Sequence, residues 1–223
     1  TVLERIRESG PQLRLYIGCS ISFGVKTGFN EAFVIDGTTR NQLVHADAQS
    51  AGIIKPLLVG DDIRHYHHKE CQRHVILIPK GWSNANGVDR QNPTKWFKTQ
   101  LPALSAHLCQ FEKVASKRLD QGEYWWEHRT CDYLASFARP KIIYPIIAKE
   151  SRFCFDAEGY FTNDKTFIIP ANDFYLLGIL NSRMAWLFFK RICSVLGDAD
   201  RGGRLDMRSI FVGELPIRTI DLS

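Results

Sequence analysis

Cationic and polar side chains are concentrated in a turn with two glycines near the start of the chain, GVKTGFNEAFVID, at residues 24–36. The glycines permit positive φ angles and a close approach of the backbone to a partner, while Lys26, Thr27 and Asn30 supply an ammonium, a hydroxyl and an amide. Such groups bind phosphate oxygens and base edges. A plain hairpin turn before a strand has the same pattern, so both interpretations stay open. The residues predicted to contact a phosphate backbone are Lys26, Thr27, Asn30, Arg64 and Lys80.

A second candidate site, Glu150 and Arg152, follows the apolar segment PKIIYPIIA at residues 140–148. In an extended segment, residues two apart point in the same direction. A glutamate can accept a hydrogen bond from cytosine N4, and an arginine can donate two to guanine, so the pair could read one C·G base pair. The alternative is a surface ion pair of little energetic worth.

Aromatic side chains that could stack on bases occur in two segments. Trp82 lies in a long loop predicted over residues 79–98, and Tyr124 and Trp126 lie in the segment DQGEYWWEHR. Neighbouring aromatic residues on a strand point to opposite faces, so packing of at least one of them in the core is the alternative to stacking.

Four histidines and a cysteine in the segment DIRHYHHKECQRH have side chains that can bind zinc, as in a metal-dependent hydrolase. They are His65, His67, His68, Cys71 and His74. The spacing matches no standard zinc finger, and His68 would not share a strand face with His65 and His67. A polar edge strand and turn is the favoured interpretation, and no metal or cofactor is predicted to bind this chain.

Several catalytic motifs are absent from the sequence. There is no [ND]-P-P-[FY] motif for a flipped adenine, because Asn92 and Pro93 are followed by Thr94, and no F-x-G-x-G turn for S-adenosylmethionine. No lysine has an acidic residue two positions before it, as a PD-(D/E)xK nuclease requires. A P-loop and a G-x-S-x-G elbow are also missing. We therefore predict no catalytic residue in this chain.

The apolar patterns predict a mixed α/β fold, with a twisted mixed sheet, flanking helices and a helical C-terminal part. Strands are predicted over residues 13–21 and 140–148, an amphipathic helix over residues 101–118, a buried helix from about residue 172 to residue 193, and a return strand over residues 211–217. These elements suggest a recognition lobe at residues 1–170 with the C-terminal helix and return strand, residues 171–223, packed on it.

Six segments occur in an order that resembles the TaqI-like C-terminal specificity domain, the target-recognition domain of type IIG restriction-modification enzymes and related adenine-N6 DNA methyltransferases. They are IIKPLLVGDDIRHY, ILIPKGW, LPALSAHLCQFEKVASKR, DQGEYWWEHR, PKIIYP and YLLGILNSRMAWLFFKRI. The resemblance covers about residues 13–217.

The resemblance implies that the chain recognises a specific sequence in double-stranded DNA. It further implies an N-terminal methyltransferase in cis that binds S-adenosylmethionine, with or without an endonuclease. It favours base reading by Glu150 and Arg152, since base-reading side chains in this family commonly project from this part of the chain. The alternative from another class is a protein- or carbohydrate-binding module that uses the aromatic cluster.

Composition agrees with these expectations without deciding between them. With 29 Lys and Arg against 24 Asp and Glu, the formal net charge is +5, which favours a polyanionic partner but is common in other proteins. No signal peptide is recognisable, and no apolar run reaches the roughly 18 residues of a membrane span. The six cysteines have no C-x-x-C spacing, which indicates reduced thiols and a cytoplasmic location.

Overall fold

A computed structural model of the chain describes residues 2–197 and 203–219. The fold is mixed α/β, as predicted, and the chain divides into two compact units. The first unit consists of Thr1–Gly24, Leu58–Glu70 and Tyr133–Ser223. The second unit consists of Val25–Leu57 and Cys71–Asp132. The first unit thus includes residues on both sides of position 170. The predicted division into a recognition lobe, residues 1–170, and a C-terminal part, residues 171–223, stays a prediction.

The elements are short, and their bounds follow in chain order. The helices of the described residues are α1 (Val2–Arg7), α2 (Leu13–Tyr16), α3 (Asn30–Phe33), α4 (Gly37–Ala46), α5 (Ser50–Ile53), α6 (Trp82–Ala85), α7 (Pro93–Gln100), α8 (Pro102–Cys109), α9 (Glu112–Ala115), α10 (Phe174–Leu180), α11 (Arg183–Ile192) and α12 (Ser209–Val212). The strands are β1 (Ser22–Phe23), β2 (Val34–Asp36), β3 (Ile54–Leu58), β4 (Arg73–Ile76), β5 (Lys141–Pro145), β6 (Ile147–Ala148), β7 (Cys154–Asp156), β8 (Phe161–Thr162), β9 (Thr166–Ile169), β10 (Ser194–Leu196) and β11 (Arg204–Asp206). Short 3-10 helices cover Gly60–Asp62 and Leu134–Ala138.

The first unit is organised around an antiparallel sheet with strand order β1-β9-β5-β7. All five residues of β5 are buried, which explains its nearly continuous apolar sequence. Tyr144 packs against Phe153 and Phe167, and the helix α11 adds Phe188 and Phe189 to the same core. Aromatic packing of this kind contributes stability beyond the area that it buries.

The predicted strand at residues 140–148 is two strands in two different sheets. The chain bends at Ile146, whose amide donates to the Lys165 carbonyl at 3.0 Å and whose carbonyl accepts from the Met207 amide at 2.6 Å. After the bend, β6 pairs with β11, which pairs with β10 in a separate three-stranded sheet. The apolar run is extended, as predicted, but its two parts, β5 and β6, belong to different sheets.

The C-terminal part is helical, as predicted, but the long helix is broken in two. The Asp173 carboxylate caps α10 by accepting from the Leu176 amide at 2.8 Å, and Ser182 caps α11 through the Ala185 amide at 3.1 Å. The break lies at Asn181, which uses its side chain elsewhere. The predicted return strand at residues 211–217 is wrong, because its start belongs to the short helix α12.

The second unit contains an antiparallel arrangement of β2, β4 and β3, with β4 in the middle. Its core includes Phe33, Phe97, Leu104 and Trp126. The single helix predicted over residues 101–118 is two helices, α8 and α9, and the predicted loop before it contains α6 and α7. Pro102 begins α8 at a position where its missing N–H costs nothing.

One further segment departs from its prediction. The strand predicted at residues 13–21 begins as the helix α2, in which Leu13 is buried while Arg14 and Leu15 are exposed. The Leu13 amide donates to the Leu215 carbonyl at 2.7 Å, which fixes the start of this turn. Within the described residues, no helix is long and apolar enough to cross a membrane.

A buried ion pair joins two neighbouring strands of the first unit. Lys141 on β5 lies opposite Asp156 on β7, and both side chains are fully buried and in contact. The Lys141 ammonium also donates to the Phe137 carbonyl at 2.6 Å, and Asp156 accepts from the backbone amides of Glu158 and Tyr160. Each charge is therefore compensated by the other and by backbone groups.

We predict that Lys141→Met lowers the free energy of unfolding by about 3 kcal/mol or more, because it leaves the Asp156 carboxylate buried without a counter-charge. The matched control is Lys165→Met, which removes a lysine that is 71% exposed and paired with Asp164, and should cost less than about 0.5 kcal/mol. Urea denaturation followed by circular dichroism measures both. Equal effects would contradict the assigned role of the buried pair.

Candidate nucleic-acid interface

The turn at residues 25–30 exposes Lys26 and Asn30 and buries Thr27. The Thr27 hydroxyl donates to Asn30 Oδ1 at 2.6 Å and accepts from the Phe29 amide at 3.2 Å. These bonds fix the shape of the turn, so that Thr27 acts on the conformation of its neighbours. Contact of Thr27 or Asn30 with phosphate stays a prediction.

Asp120 holds two exposed cations of the second unit. Its carboxylate lies 3.0 Å from Lys26 Nζ and 3.3 Å from Arg129 Nη1, whose side chains are 53% and 58% exposed. Burial would raise the pKa of Asp120, but hydrogen bonds from both cations bring it below its usual value. Gly28 has a φ of +71°, and a Cβ there would lie 2.9 Å from the Asp120 Cβ. The cluster therefore requires glycine in the turn and presents one net positive charge to solvent.

The carboxylate of Glu127 is fully buried and binds the turn that follows Lys80. Its Oε1 accepts from the Ser83 amide at 2.9 Å, and its Oε2 accepts from the amides of Gly81 and Glu123 at 3.2 Å each. Three backbone donors thus replace the water that the carboxylate loses. This arrangement fixes the turn from which Lys80 is exposed to solvent.

Arg118 is the second buried charge of this unit and binds the turn at residues 25–30. Its guanidinium donates to the carbonyl oxygens of Thr27, Trp125 and Glu127 and lies 4.1 Å from the centre of the Phe33 ring. Burial lowers the pKa of Arg118 to about 10. One guanidinium therefore connects the turn that carries Lys26 to the aromatic segment.

The aromatic residues predicted to stack on bases have different surroundings. Trp126 is 1% exposed and stacks on Phe97, with ring centres 4.4 Å apart, and on Tyr124 at 5.1 Å. Trp126 therefore belongs to the core, which was the alternative to stacking on a base. Tyr124 and Trp82 are half-buried, and the Trp82 ring lies 5.9 Å from that of Trp96. Stacking on a base stays a prediction for Tyr124 and Trp82.

Glu150 and Arg152 lie in an irregular segment of the first unit after β6, and not on a strand. Glu150 is exposed, Ser151 between them is buried, and Arg152 is half-buried with an Nε that lacks a hydrogen-bond partner among the described residues. Asn181 anchors the next residue, since Oδ1 accepts from the Phe153 amide at 3.1 Å and Nδ2 donates to its carbonyl at 2.8 Å. Both charged side chains therefore extend from a fixed backbone.

Arg64 is half-buried, and its guanidinium donates to the carbonyl oxygens of Asp61 and Ile63, both at 2.8 Å. It is thus engaged in its own turn, and its contact with phosphate stays a prediction. The nearby histidines are also directed at carbonyl oxygens. The Nδ1 atoms of His65, His67 and His68 lie 3.0, 3.1 and 2.7 Å from backbone carbonyls.

The residues that the structure describes contain no group of three or more His, Cys, Asp or Glu side chains placed to hold a metal ion. His74 lies on β4, which belongs to the second unit, whereas His65, His67 and His68 belong to the first. The histidine-rich segment is therefore divided between the two units.

Sequence reasoning missed the residues that position the site. Asp120, Arg118 and Glu127 have no motif, and Arg118 stands at the end of an apparently solvated basic run. The only available signal was the number of charges in and beside an aromatic segment, because a charge among buried aromatic residues has to be paired.

Residues 55–210 match the TaqI-like C-terminal specificity domain. The chain belongs to this family. The solved structure of the type IIL restriction-modification enzyme MmeI in complex with DNA is similar to this specificity domain, with a TM-score of 0.56 and 15% sequence identity. The match covers 89% of this chain and 24% of that one, so the specificity domain corresponds to about a quarter of that enzyme. At this identity the likeness concerns the fold. No curated protein matches the chain.

A buried histidine, His128, lies beside the buried Arg118 in the specificity domain. His128 is 3% exposed, its Nε2 lies 2.8 Å from the Ile76 carbonyl, and its Nδ1 lies 3.4 Å from Arg118 Nη1. These contacts require a neutral ring with the proton on Nε2, because a carbonyl accepts and a guanidinium only donates. Burial, together with the positive charge of Arg118, lowers the pKa of His128 to about 4.

We predict that the specificity domain loses stability as the pH falls from about 6.5 to about 4. In this window the unfolded chain binds a proton at His128 while the folded chain does not, so stability present at neutral pH is lost, up to about 3 kcal/mol. His128→Gln should flatten this part of the profile of unfolding free energy against pH. His45→Gln, which changes an exposed histidine on α4, should leave the profile unchanged. Identical profiles for the two variants would contradict the prediction.

Proposed function

We propose that this chain is the sequence-specific double-stranded DNA recognition domain of a restriction-modification enzyme. The observation that carries the proposal is membership of the specificity-domain family over residues 55–210. The similar fold of MmeI, a restriction-modification enzyme whose structure was solved with DNA, supports it. The chain itself supplies recognition, and the catalytic groups belong to other parts of the parent protein.

The parent protein that we propose is an S-adenosylmethionine-dependent adenine-N6 DNA methyltransferase, with or without endonuclease activity, acting in the cytoplasm. The missing [ND]-P-P-[FY] and F-x-G-x-G motifs support a separate N-terminal methyltransferase domain in cis. That domain would extrude the target adenine from the duplex while the specificity domain selects the site. S-adenosylmethionine would bind there and not to this chain.

In the second unit, backbone contacts are proposed for the exposed cations Lys26 and Lys80, joined by Arg129. The buried groups Glu127 and Arg118 fix the turns that carry the two lysines. Because these turns are already ordered, binding costs little further conformational entropy in the loops. Phosphate contacts of this kind position a protein on DNA and carry no sequence information. They also make binding dependent on salt, because they release counterions.

We predict that the chain binds a labelled 30-base-pair duplex of random sequence with an affinity that falls steeply as salt rises. Lys26→Gln and Lys80→Gln should each weaken binding to all sequences and reduce the slope of log affinity against log salt by about one. Lys165→Gln removes the same charge from a turn in the first unit and should leave the slope unchanged. Fluorescence anisotropy at several salt concentrations measures the slopes. Salt-independent binding, or none at low salt, would refute the proposed function.

Base reading in the first unit is proposed for Glu150 and Arg152. Arg152 keeps an unpaired Nε although it is half-buried, and Asn181 anchors the backbone beside it. A guanidinium on a fixed backbone suits the two acceptors of a guanine edge. The exposed Glu150 carboxylate suits the paired cytosine amino group.

We predict that replacing both residues, Glu150→Ala with Arg152→Ala, changes the preferred base at one position of the recognised site. Binding to random duplex should stay within about twofold, while Arg152→Ala alone should weaken binding to the selected site by roughly tenfold or more. Selection of bound duplexes from a random pool, followed by sequencing, identifies the preferred bases. An unchanged base preference would show that the pair has no role in base reading.

A further inference from the structure

A tight hairpin in the first unit brings an exposed tyrosine to the segment that carries Arg152. The Arg64 amide donates to the His67 carbonyl at 2.8 Å, and Ile63 and His68 form an antiparallel bridge. His65 and Tyr66 are the two central residues of this turn. Tyr66 therefore stands at the tip of the hairpin.

The backbone of Tyr66 adopts a conformation that its side chain disfavours. Its φ is +71°, and it is the one non-glycine residue with a positive φ in the described part of the chain. Glycine or asparagine is the usual choice at the second central position of a turn with positive φ, because a larger side chain is strained there. Such strain is found mainly at functional sites, where the surrounding structure holds it in place.

The hairpin tip is held against the strand that follows Arg152. The Tyr66 amide donates to the Phe153 carbonyl at 2.9 Å, and the His65 Nδ1–H donates to the Ser151 carbonyl at 3.0 Å. Tyr66 also forms a parallel bridge with Cys154. The tyrosine backbone is thus fixed within two residues of Arg152 along the facing segment.

The Tyr66 ring is available to a partner. The residue is 50% exposed, and the His65 ring lies against it in a T-shaped arrangement, with ring centres 4.5 Å apart. A ring supported from one side and open to solvent has a rigid apolar face with a polar hydroxyl at its end. Aromatic faces of this kind stack on bases whatever their sequence, and pack against deoxyribose.

We propose that Tyr66 contacts DNA and places its ring against a base or deoxyribose next to the position read by Glu150 and Arg152. This inference rests on the proposed function and adds a contact residue to it. Tyr66 supplies affinity by stacking, while the neighbouring charged pair supplies the choice of base. The strained turn directs the ring outward beside that pair.

The test combines binding, stability and crosslinking on the full chain, with duplexes of random sequence that carry 5-iododeoxyuridine. Tyr66→Gly should weaken duplex binding about tenfold, as expected for the loss of one stacking contact, while its midpoint of unfolding stays equal or rises because the strain is removed. Tyr66→Phe should bind within about twofold of the original chain. Ultraviolet crosslinking should attach DNA to the peptide containing Tyr66, and Tyr66→Gly should abolish that adduct.

Phe174→Leu is the matched control, since it removes another exposed aromatic ring of the first unit, 65% exposed, and should leave binding unchanged. Unaltered binding by Tyr66→Gly, together with weakened binding by Lys26→Gln, would overturn the role of Tyr66 and leave the proposed function standing. A lower midpoint of unfolding in Tyr66→Gly would also overturn it, because the ring would then be structural. Failure of the original chain to bind duplex would remove both proposals.

Discussion

A charge inside a protein is tolerated only when hydrogen bonds replace the water that it loses, and this requirement organises the second unit. Glu127 accepts hydrogen bonds from three backbone amides, and the terminal nitrogens of Arg118 donate to three backbone carbonyls, and these groups come from turns far apart in sequence. The two buried ions therefore act as fixed points to which the surface turns are attached. Lys26 and Lys80 can be exposed and still well placed because the backbone beneath each is bound to one of these ions.

The fold class could be predicted from the sequence, but the lengths of its elements could not. Apolar periodicity identifies the segments that become β5, α8, α10 and α11, because burial requires it. It does not identify the points at which an element ends. Ile146 and Asn181 interrupt apolar runs through hydrogen bonds to partners distant in sequence, and such partners are invisible to a local pattern.

The candidate site also contains residues that a local sequence pattern can predict and residues that depend on distant segments. Exposed charges on glycine turns, such as Lys26, can be predicted because glycine and a flanking cation have local meaning. The burial of Thr27, and the choice of Trp126 as the buried ring of the aromatic segment, could not, since they depend on Arg118 and Phe97 packing against them from other segments. The family resemblance, which rests on the order of many segments, was more informative than any single residue. Tyr66 carries no sequence signal, because its strain is visible only in the backbone angle.

The two units are interleaved along the chain, and this affects both the order in which they fold during translation and the segments that recombination can exchange. The chain passes from one unit to the other after residues 24, 57, 70 and 132. During translation the second unit has all of its residues once position 132 has emerged, whereas the first unit must wait for its largest segment, so the second unit can fold earlier. β1 must then find β9 across more than half of the chain, which is a slow kind of pairing. A recombination event that exchanged the second unit as one continuous cassette would also replace residues 58–70 of the first unit, including the hairpin that carries Tyr66.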